Sequence, residues 1–335
     1  MKPVIFGLEG LTLSESEISF FKESDPAGYI LFLRNIDNRE QLRALTDSLR
    51  NLHGRNDLPI LIDQEGGRVV RMKAPVWPSF PTWEKFDRLY DVAPASAIEA
   101  ARVNAEALAC DLHEMGVSVN CLPLLDVRQP DAHDIIGDRA LGSEPMRVAA
   151  MGRAVLDGMA RAGVVGVVKH IPGHGRAYAD SHLELPVVDA TDEELSIDLA
   201  PFEALKDAAM GMTAHIVYTA WDEQECASLS PTIIEDIIRK RIGFDGLLMS
   251  DDLDMKALKG DIPQLAADVV AAGCDLALNC WGRMDEMVGI AEKLSEITPG
   301  AKTRLNRAMA SVEGMSPQTE FAALVDKRDQ LLALA

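Results

Sequence analysis

The densest concentration of chemically versatile side chains is Lys169-His170-Ile171-Pro172-Gly173-His174-Gly175, followed closely by Asp180-Ser181-His182. Three of the seven histidines fall within this stretch. Histidines gathered near an aspartate can hold a metal ion. However, Pro172 and Gly173 separate His170 from His174, so this is no helical HxxxH with both rings on one face, and neither a nearby cysteine nor an HExxH accompanies it. The glycines and the proline instead describe a tight turn leaving a strand, with His174 read as structural. Asp180 and His182 stand two apart, and in an extended or looped segment such residues can point the same way. A carboxylate accepting a hydrogen bond from an imidazole fixes its tautomer and favours the protonated ring, which suits the histidine to general acid–base work. The plainer alternative is a solvated loop carrying a chance Asp-Ser-His triplet.

A second segment, Leu247-Leu248-Met249-Ser250-Asp251-Asp252-Leu253-Asp254, runs from apolar residues straight into three carboxylates. A carboxylate held at a strand end can attack an anomeric carbon or bind a metal. Neighbouring strand residues face opposite ways, so Asp251 and Asp252 should not share a role. Asp252 or Asp254 suits a helix N-cap, where it would satisfy free backbone amides. A third segment is Asp63-Gln64-Glu65-Gly66-Gly67-Arg68, with Arg71 beyond it. Asp63 closes an apolar run and could grip sugar hydroxyls, with Arg71 a second polar clamp and Arg68 equally suited to a structural ion pair. Ile136-Gly137-Asp138-Arg139 adds one more loop arginine, Arg139, which alone reads as surface charge.

Positioning these groups requires a regular scaffold, and the chain alternates strand and helix patterns. Short apolar, β-branched runs cover Val4–Leu8, Tyr29–Leu33, Ile60–Asp63, Val117–Asp126, Val164–His170, Gly211–Val217, Leu247–Asp251 and Cys274–Asn279. Between them, helical periodicity predicts helices such as Arg39–Leu52, Ala97–Met115, Met146–Ala162, Thr232–Ile242 and Asp285–Ile297. Ser230 before Pro231 marks a helix start, and Gly163 and Gly243 mark stops. About eight strands alternating with helices predict an α/β fold, a (β/α)8 TIM-type barrel forming one domain over residues 1–335. A doubly wound open sheet is disfavoured because no GxGxxG follows the first strand. Asp63, Asp126, Lys169, His170, His215 and Asp251 all finish apolar runs, where charge is costly unless solvated or functional. A barrel would gather those ends at one mouth.

With 33 Lys and Arg against 53 Asp and Glu, the chain carries a formal charge of -20 that would repel a polyanion over most of its surface, so no nucleic-acid partner is expected. Cys110, Cys121, Cys226, Cys274 and Cys280 show no CxxC spacing and read as free thiols of a reducing compartment. The apolar start before Glu9 is too short for a signal peptide, and no uncharged run is long enough to span a bilayer. A soluble cytoplasmic protein with no membrane partner is expected.

Together the segments DQEGGRVVR at Asp63–Arg71, IGDRALG at Ile136–Gly142, KHIPGHG at Lys169–Gly175 with DSH at Asp180–His182, MTAHIVY at Met212–Tyr218 and SDDLDM at Ser250–Met255 resemble the bacterial β-N-acetylhexosaminidases of glycoside hydrolase family 3. They occur in the family's order over most of the chain. Ile171 departs from it, since an aromatic residue is more usual there. The resemblance implies Asp251 as nucleophile, His182 as general acid/base and Asp180 as its partner. It implies Asp63, Arg71, Arg139, Lys169 and His170 as the substrate-binding set. It also implies a cofactor-free, retaining exo-glycosidase of the single-domain, peptidoglycan-recycling type. Such an enzyme would remove β-1,4-linked N-acetylglucosamine from muropeptides ending in 1,6-anhydro-N-acetylmuramic acid. Two other readings stay open: a metal-dependent hydrolase using His170, His174, Asp180 and His182, and a non-catalytic sugar-binding barrel.

Overall fold

The computed structural model describes residues 1–130, 135–177 and 185–335. Eight parallel strands close into a barrel: β1 Lys2–Gly7, β2 Pro26–Leu31, β3 Ile60–Ile62, β4 Val119–Asn120, β5 Val165–Ile171, β6 Met210–Thr213, β7 Leu247–Asp252 and β8 Leu276–Asn279. Each pairs with its neighbours in chain order, as in Tyr29 with Ile60 and Leu61 with Val119, and β8 closes the ring on β1 through Leu278 and Ile5. The expected barrel is therefore observed. Parallel strands need crossovers, and helices supply them. These are α1 Glu15–Ser24, α2 Arg39–His53, α3 Glu84–Val92, α4 Pro94–Glu114, α5 Pro145–Arg161, α6 Asp192–Ala204, a π-wound helix Ile233–Ile242 and α7 Ile262–Ala272. After β8 come α8 Met284–Lys293, α9 Pro299–Ala310 and α10 Phe321–Leu332.

The local signals act as their chemistry requires. Ser230 Oγ accepts the Ile233 amide at 3.1 Å at the head of the π-wound helix, and Gly243 ends it at φ 76°, a left-handed conformation that a side chain would disfavour. Two expected strands depart most from the structure. The run Val117–Asp126 gives only Val119–Asn120, because Pro123 has no N–H for a ladder and Leu124 makes a lone bridge to Lys169. The run Gly211–Val217 splits: β6 ends at Thr213, while Val217–Tyr218 pairs with Val187–Val188 in a separate parallel ribbon.

The alternation of strand side chains organises the interior into two layers. Residues facing the barrel axis form one apolar cluster that includes Ile5, Ile30, Leu61, Val119, Val167, Met249 and Leu278. Residues facing outward, such as Tyr29, Ile60, Val168 and Leu248, join the helices in a second cluster. Leu305, Ala308 and Met309 of α9 belong to the inner cluster and cover its lower end. A packed floor thus supports whatever the strand ends carry.

Candidate active site

Two residues on from that inner layer, the same alternation brings the next side chains to the mouth of the barrel. Ile30 is followed by Phe32, Leu61 by Asp63, Val167 by Lys169, Met249 by Asp251 and Leu278 by Cys280. All five second members line one cavity of about 310 Å³ together with Glu65, Arg68, Arg71, Arg139, His170, His174 and Asp252. Every substrate-binding residue expected from the sequence therefore reaches this cavity, as does Asp251. Asp180 and His182 lie outside the described residues.

The floor of one side is an ion-pair cluster centred on Glu65, which is 1% exposed. Its two oxygens accept Nη2 and Nε of Arg139, both at 2.8 Å, in a planar fork, and Oε1 also meets Lys169 Nζ at 2.7 Å. Lys169 continues to Asp63 Oδ1 at 3.1 Å, and Asp63 Oδ2 meets Arg71 at 3.4 Å. Burial alone would raise the Glu65 carboxyl's pKa, but the charges and hydrogen bonds of Arg139 and Lys169 outweigh it and hold the acid far below the usual carboxylate range. Burial would likewise lower Lys169, yet Glu65 and Asp63 keep its ammonium charged. Arg139 is thus no surface charge. Arg68, by contrast, makes the ion pair that suited it, with Asp138 at 2.9 Å.

A second cluster holds the histidines. Asp126 is fully buried; its Oδ2 lies 2.8 Å from His170 Nδ1, and its Oδ1 accepts the backbone amides of His170 at 3.1 Å and His174 at 2.7 Å. The turn that delivers both amides passes close to Val127. A Cβ on Gly175 would fall 1.9 Å from the Val127 carbonyl oxygen, so only glycine fits. Burial, then the nearby His170, pushes His174 down to about 4, which leaves its ring neutral at neutral pH. His174 lines the cavity, and its backbone amide is held by Asp126. Among the described residues no group of three or more His, Cys, Asp or Glu could hold a metal ion.

Asp251 stands at the end of β7. Burial would raise its pKa, but His170, His215, the Asp252 amide and Lys169 bring it below the ordinary value, so it is an anion at neutral pH. The Asp252 N–H donates to its Oδ1 at 2.8 Å. The following peptide is clasped from behind: His215 Nε2 donates to the Asp252 carbonyl at 3.0 Å, and His215 Nδ1 lies 2.8 Å from Ser228 Oγ. Asp252 does not cap a helix, as the sequence had allowed. Its Oδ1 accepts the amides of Cys280 at 3.1 Å and Asp254 at 3.3 Å, which ties the ends of β7 and β8 together. Nor does Asp254 cap one, since it pairs with Arg283 and the next helix starts at Ile262. Burial, reinforced by the charges of Asp251 and Asp254, pushes Asp252 up to about 7. The two adjacent aspartates therefore have opposite electrostatic characters although both line the cavity.

Sequence reasoning assigned no site role to Glu65, Asp126 or His215. Each lies inside a quoted motif or at a strand end, and the available signal was a charge in an otherwise apolar context. Chemically, the cavity offers an ionised carboxylate at a strand end together with the cations and carboxylates of the Glu65 cluster.

The chain is similar to known proteins over most of its length. Residues 8–313 match the family model described as the glycosyl hydrolase family 3 N terminal domain. A beta-hexosaminidase of Bordetella avium is 36% identical over 312 residues, covering 92% of this chain and 88% of that protein. A beta-hexosaminidase of Chromobacterium violaceum is 35% identical, covering 99% and 92%. Among solved structures, NagZ from Neisseria gonorrhoeae in complex with N-trifluoroacetyl-D-glucosamine superposes with a TM-score of 0.88 at 31% identity, over 100% of this chain and 98% of that one.

Proposed function

Because the chain belongs to glycosyl hydrolase family 3 and is a β-N-acetylhexosaminidase, we propose that it is a retaining exo-β-N-acetylglucosaminidase working by double displacement, with residues 1–335 acting as one domain. In this mechanism Asp251 attacks the anomeric carbon of a terminal N-acetylglucosamine and forms a covalent glycosyl-enzyme, and water then releases the sugar. His182 protonates the departing oxygen and later takes a proton from the water, with Asp180 tuning its imidazole. Asp63, Arg71, Arg139, Lys169 and His170 bind the sugar. The Glu65 and Asp126 clusters hold these groups rigidly, which favours transition-state contacts over induced ones. No cofactor enters any step.

The observation that carries this reading is Asp251 itself: an ionised carboxylate lining a one-sugar cavity, backed by a peptide that His215 holds while Ser228 bonds the far side of the His215 ring. The relative from Neisseria gonorrhoeae holds an N-acylated glucosamine, which supports the same sugar here. We assign the natural substrate to muropeptides ending in 1,6-anhydro-N-acetylmuramic acid, and the role to peptidoglycan recycling in the cytoplasm. Among the described residues no helix is long and apolar enough to cross a membrane.

The test is turnover of a chromogenic N-acetylglucosaminide by the wild type and by Asp251→Asn. Removing the attacking charge at nearly constant shape should lower kcat about 10⁴-fold or more with the fold intact. An inert wild type, or an equal loss in Asp252→Asn, would overturn the assignment.

A further inference from the structure

β6 ends at Thr213, and the chain beyond it carries His215 and then, after the ribbon strand Val217–Tyr218, Ser228. All three side chains are buried, yet none of them lines the cavity, so none touches a sugar held there. A buried polar group is costly unless it finds a partner, and these three partner one another in a row. Thr213 Oγ1 lies 2.6 Å from Ser228 Oγ, and Ser228 Oγ lies 2.8 Å from His215 Nδ1. The far side of the ring, Nε2, lies 3.0 Å from the Asp252 carbonyl. The Ala227 N–H donates to the Ile216 carbonyl at 2.9 Å, which holds in place the segment that delivers Ser228.

Counting protons fixes the direction of every bond in the row. A carbonyl only accepts, so Nε2 carries a hydrogen. The charged groups facing the ring are Asp251 on the neighbouring strand β7 and His170 on β5. Burial lowers the pKa of His215 and outweighs the raising effect of Asp251, so the ring is neutral at neutral pH. A neutral imidazole holds one hydrogen, so Nδ1 accepts and the Ser228 hydroxyl donates to it. Thr213 then donates to Ser228. The Ala214 carbonyl, 3.1 Å from Ser228 Oγ, competes for that proton, but yielding it would leave Nδ1 facing a lone pair. The opposite tautomer of His215 would turn the Nε2 lone pair onto the Asp252 carbonyl oxygen and repel it. Residue 252 would lose its anchor, and its N–H is the group that holds Asp251 Oδ1 at 2.8 Å.

We propose that Thr213 and Ser228 are positioning residues for the nucleophile and act through His215. The two hydroxyls fix the tautomer of the ring, the ring anchors the Asp252 carbonyl, and the Asp252 N–H aims the Asp251 carboxylate. The proposal rests on the glycosidase reading above for the role of Asp251, whereas the tautomer is measurable without turnover.

Nitrogen-15 NMR of the wild type at pH 7 tests the relay directly, with the His215 signals identified by their absence from His215→Gln. They should show a neutral ring with its hydrogen on Nε2. Kinetics test its purpose. Ser228→Ala should lower kcat/KM for an aryl N-acetylglucosaminide about tenfold and leave the Kd of N-acetylglucosamine within about twofold, because the aim of the carboxylate matters at attack and not on binding. Thr213→Val should show the same split more weakly. His215→Gln can place its amide nitrogen where Nε2 stands, so it should recover about tenfold of the activity lost in His215→Asn, whose amide reaches only the Nδ1 place. A ring with its hydrogen on Nδ1, or an imidazolium, would overturn the proposal even where a variant fails to fold. So would a Ser228→Ala enzyme with wild-type kcat/KM, a loss matched by an equal loss of sugar binding, or equal losses in the Gln and Asn variants. A wild type that shows the Nε2–H ring but turns over no aryl N-acetylglucosaminide would instead overturn the glycosidase reading itself.

Discussion

Glu65 offers the sharpest quantitative test of how the site is held. Glu65→Gln keeps the shape and removes the charge that Arg139 and Lys169 share. Breaking a buried pair by removing one partner costs about 3–5 kcal/mol, because the remaining charge stays buried without compensation. Lys169 retains Asp63 at 3.1 Å, so the lower figure applies. A chain of 335 residues has an unfolding entropy of about 0.7 kcal/mol/K, so a loss of about 3 kcal/mol should lower Tm by about 4 °C at pH 7. The loss should also depend on pH. The folded state depresses the Glu65 pKa, so its contribution is complete above the unfolded value of about 4.3 and declines as pH falls towards the folded value. The gap between wild type and variant should therefore be constant from pH 5 to 8 and about 1 kcal/mol smaller at pH 3.5. Urea titrations of both proteins across this range measure it directly. A variant that melts within a degree of wild type at pH 7, or a gap that widens in acid, would refute the compensation argument.

The other predictions concern Asp252 and the reacting groups. Asp252 has a raised folded pKa of about 7, so wild-type stability should fall as pH rises from about 4 to 7, and Asp252→Asn should gain on wild type through that window and hold its advantage above it. Parallel melts from pH 4 to 9 check this, and an advantage greatest at pH 4 would contradict it. Because double displacement inverts the anomeric centre twice, proton NMR of the nascent sugar should show the β-anomer first; an initial α-product excludes the mechanism. His182→Ala should impair substrates with poor leaving groups far more than aryl glycosides with good ones, with Asp180→Ala showing the same trend more weakly. Losses independent of leaving-group pKa would point to a metal-ligand role instead, and near-normal rates to a solvated loop.

Much of this molecule was legible along the chain. Alternating apolar runs and helical periods specified a parallel barrel because both patterns are local consequences of backbone geometry. Polar residues ending those runs marked the mouth where the cavity lies, since charge at the end of an apolar strand is costly unless solvated or functional. The motifs around Asp63, Lys169 and Asp251 named residues that the structure then gathered in one cavity.

Contacts that depend on closing the ring were another matter. Glu65 and Arg139 are 74 positions apart, and His170 and Asp126 are 44 apart. Nothing periodic links such pairs. Arg139 read alone as a surface charge and Asp252 as a helix cap, because a side chain's local pattern does not reveal which distant charge will meet it. Whether a buried charge is tolerated depends on desolvation against the partners actually present. Residue spacing and alternation set which groups reach the mouth, and tertiary structure decided which of them compensate one another, because that balance exists only once strands distant in sequence stand side by side.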